Sequence, residues 1–131
     1  MNYFNLKQIV MSLPKLKQAI FETEVLKRIL GFMSDENMHF KNRMSEILKN
    51  GFEKKMLNRM EVFQNRFIME DELVGLLRND VAEMENLIRS EGEAIEEISR
   101  KLKKLSFNVE LAESHFNKLK MDFNSFLSEN I

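Results

Sequence analysis

The 131-residue chain has no cysteine, no tryptophan, a single proline and four glycines. Without cysteine there can be no disulfide, no thiolate metal ligand and no cysteine nucleophile, and the chain is expected in a reducing cytoplasm. So few turn-forming residues leave the chain with few, long elements, which disfavours sandwiches and α/β folds with their frequent turns. Charge of one sign is also missing. Twenty Lys and Arg face twenty-one Asp and Glu, for a net charge of −1, so no overall field recruits nucleic acid or an acidic membrane. No apolar run approaches the roughly 18–20 residues of a membrane span. Lys7, Lys15 and Lys17 interrupt any signal-peptide core around Tyr3, Phe4, Leu6, Ile9 and Val10. The expectation is a soluble, unprocessed single domain, and 44% hydrophobic residues are enough for a core without staples.

What the chain does have is heptads. Ile95, Ile98, Leu102, Leu105, Val109, Ala112, Phe116, Leu119, Phe123 and Phe126 follow one another at alternating spacings of 3 and 4, and all are apolar. That spacing draws one apolar seam down a helix of about 38 residues, roughly 55 Å long. Only other helices can cover so long and narrow a stripe. A second seam runs through Met56, Met60, Phe63, Phe67, Val74, Leu77, Val81, Met84 and Ile88, broken only by Glu70. A third, looser one runs through Leu16, Ala19, Leu26, Leu30, Met33, Phe40, Met44 and Ile47, with Thr23 and Asn37 as polar entries.

Asn50-Gly51 and Glu91-Gly92 read as helix stops, and Pro14 suits the first turn of a helix. The spacing predicts an all-α antiparallel bundle of three long helices, at 14–50, 53–90 and 93–129, forming one domain over 1–131. Residues 1–12 are expected as a short N-terminal helix that packs on or flanks the bundle. Gly31 and the cap-like Ser34-Asp35-Glu36 leave two readings for the first helix: kinked but continuous, or broken near 31–35 into a four-helix variant. The unbroken heptad phase from Leu30 and Met33 to Phe40 and Met44 favours continuity. The plan resembles the three-helix modules of spectrin-type repeats in helix count, and that likeness carries no functional residue.

Charge checks the register. Folding at the two glycines sets Lys15 and Lys17 level with Glu96 and Glu97, and Glu22 level with Lys103. It also sets the basic run Arg100, Lys101, Lys103 and Lys104 against Asp80, Glu83 and Glu85. Opposite signs at matching levels are what paired helices favour.

Chemistry has few footholds. Glu36-x-x-His39 is one half of a ferritin-like di-iron motif, but the other histidine, His115, lacks a glutamate three residues before it. Both histidines are expected on the surface, with no metal or other cofactor. Glycine-rich phosphate loops and nucleophile elbows are absent. Glu70 at mid-height, with Asn37 nearby in level and Ser114 of the third segment opposite, is expected, like Asn37, as a buried polar residue that sets register. The rival reading makes it the polar group of a core pocket for a small molecule or metal. A weaker alternative is an anionic partner at the basic pole of Lys49, Lys54, Lys55 and Arg59.

Apolar residues left over from the seams are the best pointer to function. Phe21, Val25 and Phe32 form an outward stripe on the first segment, Ile68, Met69 and Leu76 on the second, and Phe107 and Leu111 on the third. Single exposed apolar residues are ordinary, but stripes of them mark surfaces that something covers. The expected role is a non-enzymatic module working by protein–protein contact, as a homodimer or with another helical protein. No nucleic-acid or membrane partner is expected.

Overall fold

The computed structural model describes residues 3–51, 53–90 and 94–130, and side chains from residue 13 onward. Helix α1 spans Tyr3–Lys49, α2 spans Leu57–Arg89 after a short 3-10 turn at Lys54–Met56, and α3 spans Ile95–Asn130. The three pack against one another as an all-α bundle, α1 and α3 parallel and α2 antiparallel to both. No helix among the described residues is long and apolar enough to cross a membrane.

Each stop has a local cause. After Lys49, Gly51 takes φ +89°, a left-handed conformation that glycine adopts without strain. At the end of α2, Ser90 turns to extended backbone (φ −73°, ψ 132°) while its N–H still reaches Asn86 and Leu87. Gly92 lies outside the described residues. α3 opens with Glu96 and Glu97 in its first turn, where carboxylates face the positive end of the helix dipole.

Helix α1 departs from expectation at its start. Pro14 lies inside the helix, which begins at Tyr3 rather than at 14, and residues 3–12 continue it instead of forming a separate folded-back helix. A proline removes one N–H donor but does not end a helix by itself, and residues 3–13 contain no glycine to stop the chain earlier. Whether the side chains of residues 1–12 pack on the bundle lies outside what is described. Further along, α1 passes through Gly31 and Ser34 without a break, so the continuous reading holds and the four-helix variant does not.

The three seams close on one another. Buried apolar residues include Leu30, Met33, Phe67, Val74, Val81, Val109, Phe116 and Phe123, in a single core cluster. Toward the α1–α2 turn the core becomes aromatic. Phe40 stacks on Phe67 at 5.7 Å, and Phe123 meets Phe67 at 5.2 Å and Phe63 at 5.3 Å, edge to face. Thr23 is buried as well, and its hydroxyl donates to the Ala19 carbonyl at 2.7 Å, so it satisfies itself within its own helix.

Candidate functional site

The core contains one polar interruption at mid-height, built from two of the three positions where the seams are not apolar, the third being Thr23. Asn37 is 0% exposed and Glu70 6% exposed. Asn37 Nδ2 donates to the Phe67 carbonyl at 3.0 Å and to Asp71 Oδ1 at 2.5 Å. Lys41, one turn along α1, binds the other oxygen of Asp71. Asn37 therefore sits beside the single turn of α2 that also carries Glu70, and it locks that turn to α1.

The locking is incomplete. Asn37 Oδ1 and Glu70 Oε1 are buried and accept no hydrogen bond among the described residues. Two buried acceptors without a donor are costly. Burial, helped by the neighbouring Asp71 carboxylate, raises the Glu70 pKa to about 7. A protonated Glu70 is neutral, and burying it costs less than burying a carboxylate. Ser114, expected opposite Glu70, is exposed on the outside of α3.

Other charges lie at the rims. Lys120 of α3 binds Glu36 of α1 at 2.8 Å, Arg66 of α2 binds Asp122 of α3 at 3.1 Å, and Lys27 of α1 reaches Glu85 of α2 at 3.7 Å. Lys15, Glu22, Glu96 and Lys103 line one groove between α1 and α3, as the register from charge requires. The expected match of residues 100–104 with Asp80, Glu83 and Glu85 is different in detail. Arg100 binds Glu97 of its own helix, and Glu85 is taken by Lys27 and by Arg89. A pair within one helix spans a fixed i,i+3 or i,i+4 distance, which suits side chains that cannot reach across a groove. The hydrogen bond from Arg100 lowers the Glu97 pKa.

His39 and His115 are both exposed, and among the described residues no three His, Cys, Asp or Glu side chains converge as a metal site would. At the basic pole, Lys49, Lys54, Lys55 and Arg59 are exposed. There Arg59 lies over the Phe126 ring at 4.7 Å and Lys55 is 3.6 Å from Glu53.

The outward apolar residues are placed by the cross-helix pairs, which show which flank of each helix meets which neighbour. Phe32, 67% exposed, stands one turn before Glu36 on the α3 flank of α1. Val25, a heptad earlier, is half-buried there, and Phe21 is exposed nearby on the outer ridge. Ile68 stands three residues before Asp71, on the α1 flank of α2. Met69 stands three residues after Arg66, on the α3 flank, and Leu76 follows it by one heptad. Leu111 lies on the α2 flank of α3, with Phe107 one turn away on the ridge. The eight residues thus divide among different faces of the bundle.

One of those faces draws residues from two helices. Arg66 faces Asp122 and Phe63 faces Phe126, so each step up α2 matches a step down α3. Counting from these pairs, Leu76 and Leu111 stand within one or two residues of level, on facing flanks of the α2–α3 groove. They are 63% and 47% exposed. Exposed Met69 and Val62 extend the same column along α2, and Val62 was not among the residues singled out by the stripes. No family model matches the chain, and no curated protein or solved structure matches it either.

Proposed function

We propose that the protein is a non-enzymatic helical module that works by protein–protein contact through the α2–α3 face. The observation that carries this reading is the level pair Leu76 and Leu111, exposed on neighbouring helices beside a core that is already closed. Burying such side chains is worth about 25 cal/mol per Å² removed from water. Aliphatic residues grouped across two helices are the kind of patch that association covers.

The face is rigid because it stands on two long helices held by their own seams. A partner therefore meets a preformed surface and has little ordering cost to overcome. Glu70 and Asn37 serve that rigidity by holding α1 and α2 in one register.

The test uses the full chain in two differently tagged copies expressed together in its native cells. Stoichiometric recovery of a protein, either the second copy or another chain, that disappears in the Leu76→Ser/Leu111→Ser variant with unchanged helicity supports the reading. If nothing is recovered in stoichiometric amount with the wild-type chain, the reading fails.

A further inference from the structure

Around Leu76 and Leu111, the charges that make no ion pair are sorted by helix. At its upper end α2 carries Glu83 and Asp80, and midway Glu72, while α3 carries Lys104 at the level of Glu83 and Lys118 at the level of Met69. Asp80, Glu83 and Glu72 on one side, and Lys104 and Lys118 on the other, make no ion pair among the described residues. Around Leu76 and Leu111 the unpaired charges are thus acidic on α2 and basic on α3, while toward the α1–α2 turn the signs reverse, with Arg66 of α2 paired to Asp122 of α3.

We propose that this face binds a second copy of the chain, about a two-fold axis parallel to the helices, so that α2 of each protomer lies against α3 of its partner. The proposal rests on the functional reading above and names its partner. A two-fold axis along the bundle keeps every residue at its own level and exchanges the two columns of the face. Leu76 of one protomer then meets Leu111 of the partner subunit. Glu83 meets Lys104 of the partner subunit, and Glu72 comes within reach of Lys118 of the partner subunit. Each contact occurs twice, as an isologous interface requires.

The other way to bring this face against itself turns one copy end over end. That places α2 on α2 and α3 on α3, which with Leu76 and Leu111 at the centre sets Asp80 against Glu72 and Lys104 against Lys118. Like charges in juxtaposition disfavour that arrangement. Charge therefore selects the parallel two-fold, while the aliphatic pair at its centre supplies the buried area.

Charge exchange tests this directly, because Glu83 and Lys104 are exposed and outside the core. Sedimentation velocity over a wide concentration range measures the dimer dissociation constant for the wild type, for Glu83→Lys, for Lys104→Glu, and for the two variants mixed in equal amounts. Circular dichroism checks that each keeps its helicity. Each variant alone places like charges together at both symmetry-related contacts, and its Kd is expected to rise about tenfold. In the mixture, the introduced lysine of the first variant meets the introduced glutamate of the second. The original pair forms at the other contact, so association returns to the wild-type value. A wild-type chain that stays monomeric at all concentrations overturns this inference but leaves contact with a different protein standing. A dimer that ignores the single variants, or a mixture that does not recover, overturns the two-fold arrangement.

Discussion

Asn37 reaches across the α1–α2 interface and donates to the main-chain carbonyl of Phe67 at 3.0 Å, from a position with no exposure at all. That carbonyl belongs to a helical residue, so the amide ties to the backbone of α2 and not merely to a side chain that could turn away. Slipping α1 by a heptad against α2 would keep apolar residues in contact along most of the seam. It would strand this amide, and a single polar seam residue can fix register in that way.

The chemistry of the Asn37 side chain can be separated from its volume. Asn37→Leu removes the orphaned oxygen together with the amide, and is expected to change stability by less than about 1.5 kcal/mol. Asn37→Asp keeps the shape but places a carboxylate beside Asp71 and Glu70, and is expected to cost about 3–5 kcal/mol at pH 7. Urea unfolding at pH 7 measures both. A leucine variant less stable than the aspartate variant would show that the amide matters by shape alone.

Glu70 makes stability depend on pH. Its pKa is raised to about 7 in the folded chain from an ordinary 4.5, so the folded state holds this proton where the unfolded state has lost it. The stabilisation is complete below about pH 4.5 and is lost as pH rises through about 7, with roughly 3 kcal/mol at stake. Glu70→Gln, which cannot ionise, is expected to flatten this part of the profile and to exceed the wild type in stability at pH 8. Urea midpoints from pH 4.5 to 8 decide the matter. A wild-type profile that rises across the same range would show that Glu70 ionises freely.

Much of this was open to reading in the residue order. The α3 seam, from Ile95 to Phe126, needed only spacing, and the stop at Gly51 needed only one residue's backbone freedom. Asn37 and Glu70 stood out because they are polar where the heptad demands apolar side chains. Their partners did not stand out, because whether Asn37 meets Phe67 or a residue one turn away depends on the axial offset between two helices. Pro14 misled for a related reason. It suits a first turn, and an interior proline loses a hydrogen bond and crowds the carbonyl four residues back, yet α1 runs through it. The outward stripes gave angles on single helices, whereas grouping Leu76 with Leu111 and separating them from Phe32 required the ion pairs that show which flank faces which neighbour.

Truncating the aromatic core should be felt most at Phe123, whose ring meets both Phe63 and Phe67 at 5.3 and 5.2 Å and Phe40 at 5.9 Å. Phe123→Ala removes a fully buried ring that touches both other helices, with an expected cost of about 3–5 kcal/mol. Phe107→Ala removes an exposed ring, and its effect on the monomer should stay within about 0.5 kcal/mol. Equilibrium urea unfolding compares the two. Similar losses would mean that Phe107 is packed in solution.

Glycine at two positions of α1 and its turn should respond to alanine with opposite signs. Gly31 has helical backbone, and a Cβ placed there would come no nearer than 3.9 Å to the Arg78 guanidinium, an ordinary contact. Gly31→Ala then gains helix propensity and loses unfolded-state freedom, for a stabilisation of about 0.5–1 kcal/mol. At Gly51 the surroundings are open but φ is +89°, where a Cβ strains the backbone, and Gly51→Ala should cost about 1–2 kcal/mol. Space alone would rank the two sites the other way, so backbone conformation decides the sign. Thermal midpoints of the two variants, taken at one protein concentration, read the difference. If Gly31→Ala melts below the wild type, the Arg78 side chain cannot yield, and α1 is packed against α2 more tightly at that turn than a 3.9 Å contact implies.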